Sequence, residues 1–282
     1  MSRIVLLNGE FLDFADAKLS IMDRGFLFAD GIYEVSAVLN GRTIDNAAHL
    51  ARLDRSLKEI DIPNPYSVAE WVAFQNGLID RNGLTEGVVY IQVTRGIAER
   101  EFSYADGLTP TVVMFTQVKN LLGSKLAVDG AKVITVPDLR WARRDIKSVA
   151  LLPQVLAKQA AARAGAQEAW MVEDGVVTEG ASSSAFIVTH DGALVTRPFT
   201  QTVLPGITRL AITALIAETG LRLDERTFTV DEAKAAQEAF FTSASTFVAP
   251  VASLDGTPIG TGKPGPVATK LREIYIRQAM AE

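Results

Sequence analysis

The chain has no cysteine in 282 residues and only two histidines, His49 and His190. Without cysteine there are no disulfides, iron–sulfur clusters or thiolate zinc sites. Two histidines exclude a histidine-rich metal site, so no metal is expected. Positive charge is not in excess either: 28 Lys and Arg stand against 33 Asp and Glu, a formal net charge of −5. A protein built for nucleic acid carries the opposite balance. No apolar run approaches membrane-spanning length. The opening MSRIVLLNGEFLDF turns polar too early for a signal peptide, so the cytoplasm is the expected compartment. Low-complexity segments and short internal repeats are also lacking. Any chemistry must come from lysine, carboxylates, hydroxyls or a bound cofactor.

What is present suffices for a core. Hydrophobic residues make up 48% and charged residues 22%, the balance of a soluble globular protein. The length allows one large domain or two ordinary ones. IYEVSAVL (32–39), VVYIQVT (88–94) and TVVMFTQV (111–118) read as strands. Residues 45–60 read as a helix whose Leu50, Leu53, Leu57 and Ile60 share a face, with His49, Arg52 and Arg55 off it. A second helix covers 67–82. The polar stretch after VTRG reads as a long loop, a place where function concentrates. KNLLGSK (119–125) is the linker candidate, dividing an N-terminal small lobe, 1–118, from a larger C-terminal lobe, 126–282. Beyond it, strands at 131–137, 168–173, 176–180, 184–190 and 239–245 mix with helices at 153–165, 206–220 and 264–280. The expectation is two α/β or α+β lobes.

One stretch, RRDIKSVALLPQVLAKQAA (143–161), reads as buried, with Ile146, Val149, Leu151, Leu152, Val155 and Leu156 and, among them, the amine of Lys147. Lysine is seldom buried without a partner. An amine whose pKa is depressed by burial and by cationic neighbours forms Schiff bases, and Arg140, Arg143 and Arg144 lie close in sequence. Pyridoxal phosphate is a cofactor that uses such a lysine, and it needs partners of other kinds. Its phosphate wants free N–H groups at a helix start and an arginine, and its ring nitrogen wants a carboxylate or a basic side chain. Gly206-Ile207-Thr208 opens a helix, FTSAS (241–245) ends a strand in small hydroxyl residues, Arg52 is one of several arginines, and Glu179 stands in the turn VTEGASSS. Each alone is an ordinary feature; the set is not.

The segments DRGFLFADGIYEV (23–35), HLARL (49–53), VTRG (93–96), DIKS (145–148), VLAKQAA (155–161), VTEGASSSAFIV (177–188), LPGITR (204–209) and FFTSAS (240–245) resemble, in order along nearly the whole chain, the fold-type IV pyridoxal-phosphate enzymes. Among these the resemblance is greatest to the D-amino-acid aminotransferases. It implies a two-lobed α/β (α+β) subunit with the cofactor site at the lobe interface, and a homodimer with shared active sites. It implies that Lys147 forms the aldimine with pyridoxal 5'-phosphate and moves the proton between substrate and cofactor. Glu179 would pair with the pyridine nitrogen. Arg52 would hold the phosphate together with Gly206, Ile207, Thr208, Ser243 and Ala244. Leu204 would pack on the ring, Ser183 and Ser184 would line the pocket, and Tyr33 would face the substrate.

The family's substrate loop carries Arg-X-His. Here Arg100 matches the arginine and Phe102 replaces the histidine, so the carboxylate clamp reduces to Arg100 and Tyr33. The phosphate corner has Ala244 where a hydroxyl residue is common. The implied reaction moves an amino group between a D-alanine-like amino acid and a 2-oxo acid such as 2-oxoglutarate, by way of pyridoxamine phosphate. The alternatives are a branched-chain L-amino-acid aminotransferase, an (R)-amine transaminase favoured by Phe102, and an aminodeoxychorismate-type lyase.

Overall fold

The structure is a computed structural model that describes residues 3–281, leaving aside the side chains of residues 217 and 218. The chain divides into two units. One runs up to Asn120 and also takes in Ile146–Ala150; the other holds Leu121–Asp145 and continues from Leu151.

In the first unit β1 (Ile4–Leu7), β2 (Glu10–Asp13), α1 (Arg24–Phe28), β3 (Gly31–Leu39), β4 (Arg42–Thr43), α2 (Asn46–Lys58), α3 (Val68–Asn82), β5 (Glu86–Thr94) and β6 (Thr111–Val118) follow one another. The strands make a six-stranded sheet, β2-β1-β6-β5-β3-β4, with every pairing antiparallel. Alternation puts Ile32, Val38, Val89, Ile91, Val93 and Met114 into the core, where the leucine stripe of α2 and Trp71 and Leu78 of α3 cover them. The start of α3 is fixed locally. Ser67 Oγ accepts from Glu70 N–H while the Glu70 carboxylate accepts from Ser67 N–H, and Gly83 ends the helix in the left-handed conformation.

The second unit holds α4 (Lys125–Asp129), β7 (Ala131–Pro137), α5 (Leu152–Arg163), β8 (Glu168–Glu173), β9 (Val176–Gly180), β10 (Ser184–Val188) and β11 (Ala193–Thr196). It continues through α6 (Ile207–Thr219), β12 (Arg222–Glu225), α7 (Val230–Lys234), β13 (Glu238–Ser243), β14 (Phe247–Leu254), β15 (Thr257–Pro258) and α8 (Pro266–Ala281). Its nine-stranded sheet runs β12-β11-β10-β13-β14-β7-β8-β9, with β15 added to β14. It is mixed: β11–β12, β14–β7 and β7–β8 are parallel and the rest antiparallel. Trp170, Ile187, Phe228, Phe241 and Val251 lie in its core.

The passage between units differs from the expected linker. The chain crosses at Asn120–Leu121, where Leu121 is buried, and α4 already begins at Lys125. Residues 146–150, expected in the C-terminal lobe, return to the first unit as an extra extended segment. Ser148 bridges Ile32, Tyr33 N–H donates to Lys147 O (3.0 Å) and Val149 N–H donates to Gly31 O (3.0 Å).

The last helix is tied down by a carboxylate. Buried Glu238 of β13 accepts from Val267 N–H at 3.0 Å and Ala268 N–H at 3.1 Å, serving the positive start of α8. The chain passes so close that a Cβ on Gly265 would lie 2.0 Å from Glu238 Cδ. Glu238→Ala is expected to cost about 1–2 kcal/mol, as loss of a helix cap does. Thermal unfolding should show a drop of about 2–4 °C for each kcal/mol; an unchanged melting temperature would count against this role.

Candidate active site

The alternation that turns Ile32 and Val38 of β3 toward the helices also turns Glu34 that way, and turns Tyr33 to the opposite face. Glu34 is fully buried. Arg52 Nε donates to its Oε1 (2.7 Å) and Arg52 Nη2 to its Oε2 (2.8 Å), and His49 Nδ1 lies 2.9 Å from Oε2. Burial pushes the Glu34 carboxyl up, but the Arg52 charge and the hydrogen bonds from Arg52 and His49 outweigh it and hold it well below the ordinary carboxylate range. Burial pushes His49 down, with Glu34 only partly offsetting it. Arg52 is therefore not the solvated surface charge its place off the apolar stripe suggested. His49, Arg52 and Ser56 are all buried and form a second, polar stripe on α2. Nothing in the sequence motifs marks Glu34. Its signal was a carboxylate at a core-facing position of a strand.

Lys147 is half-buried, with Nζ 4.2 Å from the centre of the Tyr33 ring. Its backbone N–H lies 3.4 Å from Ser56 Oγ, one turn along α2 from Arg52. Tyr33 stacks on Tyr90 (5.7 Å), and Tyr90 on Phe115 (4.7 Å), so the ring that meets the amine is the end of an aromatic row across the sheet. The apolar run around Lys147 is not the buried segment it resembled. Ile146 is buried, but Leu152, Val155 and Leu156 are 69%, 58% and 55% exposed on α5. Nor are the neighbouring arginines unpaired cations. Arg140 pairs with Asp138 and Glu179, Arg143 with Asp145, and Arg144 with Glu173 and Asp138.

The loop after β5 forms a second group in the same unit. Arg100 is exposed, its guanidinium 5.5 Å from the Phe28 ring and 5.9 Å from that of Phe102. Phe102 packs on Phe28 (5.6 Å) yet remains 81% exposed. What shapes this loop is Arg24. Buried Arg24 donates to Asp30 (2.9 Å), Glu101 O (2.6 Å) and Phe102 O (3.2 Å). Asp30 also accepts from Arg95 (2.7 and 3.0 Å), whose guanidinium stacks on Tyr104 at 3.6 Å. Burial raises the Asp30 carboxyl, and the two arginines more than reverse this.

In the second unit Glu179 stands near the end of β9 with its carboxylate buried. It pairs with Arg140 Nη1 and accepts from Leu204 N–H at 3.2 Å through both oxygens. Burial pushes it up, and Arg140 and the Leu204 N–H pull back without reversing the shift. Asp138, which also accepts from Arg140 and from Thr178 Oγ1 (2.6 Å), orients the arginine behind it. The expected contact of Leu204 is through its side chain; the structure adds this backbone role. Ser183 donates to buried Glu168 (2.9 Å), which fixes the serine turn after β9.

The start of α6 has no side-chain cap among the described residues. A Cβ on its N-cap residue Gly206 would stand 2.8 Å from Ser184 Oγ, so any side chain there would have to displace that hydroxyl. Ile207 and Thr208 are buried in the first turn. Ser243 ends β13, Ala244 and Ser245 sit in the turn before β14, and buried Thr242 Oγ1 has no hydrogen-bond partner among the described residues. Uncapped helical N–H groups beside small hydroxyl residues suit a phosphate dianion, and a buried carboxylate suits a protonated ring nitrogen. The residues present therefore fit pyridoxal phosphate. Among the described residues no group of three or more His, Asp or Glu is placed to hold a metal, and no helix is long and apolar enough to cross a membrane.

The family model described as amino-transferase class IV matches residues 31–254, and the chain belongs to that family. It is 41% identical over 270 residues to a D-alanine aminotransferase of Staphylococcus aureus, covering 95% of each chain. Its fold is similar to that of the Escherichia coli branched-chain amino acid aminotransferase, with a TM-score of 0.90, 25% identity and coverage of 98% of this chain and 94% of that one. The branched-chain amino acid aminotransferase of T.th. with pyridoxamine 5'-phosphate is likewise similar, with a TM-score of 0.89, 25% identity and coverage of 100% and 95%. The protein is thus a fold-type IV aminotransferase.

Proposed function

We propose that the protein uses pyridoxal 5'-phosphate to move the amino group of a D-alanine-like amino acid to a 2-oxo acid such as 2-oxoglutarate. The observation that carries the substrate class is the contrast in identity: 41% to a D-alanine aminotransferase against 25% to these two branched-chain enzymes of nearly the same fold. The cofactor supplies a carbonyl for the amine and a ring that accepts electrons. Lys147 Nζ would hold the cofactor through that carbonyl and would take the proton from the amino-acid Cα. Glu179 keeps the ring nitrogen protonated. Arg52, the N–H groups of Ile207 and Thr208, and the Ser243–Ala244 turn hold the phosphate, with Leu204 on the ring and Ser184 beside Gly206. Arg100 and Tyr33 bind the substrate carboxylate, with Phe102 in place of a hydrogen-bonding partner. A cytoplasmic homodimer completes the reading; exposed Phe26, Leu152, Val155 and Leu156 are apolar surface that a second copy would cover.

The test is spectroscopic. D-alanine added without an oxo acid is expected to remove the long-wavelength band of lysine-bound pyridoxal phosphate and release pyruvate. 2-Oxoglutarate should restore the band. Conversion by L-leucine or (R)-1-phenylethylamine in place of D-alanine would overturn the substrate class and point to Phe102. No band after added pyridoxal phosphate would overturn the cofactor.

A further inference from the structure

Arg272, in the second turn of α8, is buried and has no carboxylate partner among the described residues; its hydrogen bonds go to backbone carbonyls. Nη1 donates to Thr246 O at 2.7 Å and Val248 O at 3.2 Å. Nη2 donates to Leu121 O and, at 3.4 Å, to Leu122 O. Burial without a compensating charge pushes its pKa down. Such a group is costly to place in a protein interior, so its position calls for a reason.

The residue between the two carbonyls taken by Nη1 supplies one. Phe247 has φ +56°, in the left-handed region, which is strained for a bulky side chain. Its ring is fully buried, 5.6 Å from the Arg272 guanidinium and 5.3 Å from the Tyr275 ring. Arg272 therefore grips Phe247 from both sides and from above. Phe247 closes the turn that begins at Ser243. The two residues are paired across the hairpin, Thr246 N–H donates to Ser243 O (3.3 Å), and Ser243 Oγ lies 2.8 Å from Thr246 Oγ1. Ala244 offers no hydroxyl, and Ser243 Oγ already meets Thr246 Oγ1 and Ser245 Oγ, so an anion at this turn would depend on its backbone groups, whose direction is set by the turn's shape.

We propose that Arg272 is a positioning residue for phosphate binding: by holding the Thr246 and Val248 carbonyls it keeps Phe247 left-handed and fixes the Ser243–Thr246 turn in its binding shape. This rests on the reading of the Ser243–Ala244 turn as a phosphate contact. The experiment uses the full chain stripped of cofactor, titrated by absorbance and tryptophan fluorescence with pyridoxal phosphate and with pyridoxal, which has the same aldehyde but no phosphate. In Arg272→Met the Kd for pyridoxal phosphate is expected to rise at least about tenfold while that for pyridoxal stays within about twofold. Arg272→Lys, whose donors share one nitrogen, should fall between Met and wild type. Equal weakening of both ligands, or an unchanged Kd for pyridoxal phosphate, would overturn the proposal. If Arg272→Met does not fold, the lysine variant is judged by the same comparison. Wild-type protein that binds neither ligand would instead overturn the cofactor reading and this proposal with it.

Discussion

Lys147→Ala is expected to lower turnover of D-alanine with 2-oxoglutarate by at least about 10²–10⁴-fold, the range lost with a positioned proton-transfer group. In the proposed function the substitution removes both the amine that would bond the cofactor carbonyl and the base at the substrate Cα. It should leave the fold intact. The bonds that fasten this segment to β3 are made by Lys147 O, Ile32, Ser148 and Val149, none of which involves the side chain. The amine itself rests on the face of the Tyr33 ring. Thermal unfolding of the variant should therefore match wild type, and activity within tenfold of wild type would remove Lys147 from the mechanism.

Glu34→Gln is expected to destabilise the protein by about 3–5 kcal/mol, because it leaves a buried guanidinium facing a neutral amide. That is a large part of the roughly 5–15 kcal/mol that typically holds a domain folded. The pH dependence follows from the same group. The folded carboxyl is held below its unfolded value, so its contribution is complete above about pH 4.3, the ordinary glutamate value, and is lost as pH falls below it. His49 adds to acid sensitivity: its folded pKa is also depressed, so stability declines as pH drops through about 6.5. Denaturant midpoints should thus separate wild type from Glu34→Gln most widely near neutral pH and draw together toward about pH 3. A gap under about 1 kcal/mol at neutral pH would show that Arg52 finds another partner. Because Arg52 is also the phosphate arginine of the proposed site, the variant should lose cofactor on dilution as well.

Much of this was written in local pattern, and the failures share a cause. The leucine stripe at 50, 53 and 57 and the alternation of β3, β5 and β6 gave the first unit its core. The helix after Gly206 and the strand that carries Glu179 stand where the local sequence put them. Leu152, Val155 and Leu156 misled because an apolar face reads alike whether its own chain covers it or leaves it exposed. Arg52 read as one ordinary arginine among several, and Arg272 and Arg24 carried no reading, because their partners lie far off in sequence: Glu34, the Thr246–Val248 and Leu121–Leu122 carbonyls, and the 101–102 backbone. Composition shows that an arginine exists, but only the folded backbone shows that a carbonyl waits for it.

The return of residues 146–150 to the first unit has a consequence for modularity. Neither unit is one uninterrupted stretch of chain. A fragment ending at Asn120 would lack the segment that occupies Gly31 O and Tyr33 N–H, and a fragment starting at Leu121 would carry five residues belonging elsewhere. Shuffling the halves between relatives at the 120/121 boundary alone would therefore transfer Lys147 without the strand it pairs with. An exchange that respects the architecture needs three junctions, at 120/121, 145/146 and 150/151, so recombination and gene splitting face a chain that is divided in space but interlaced in sequence.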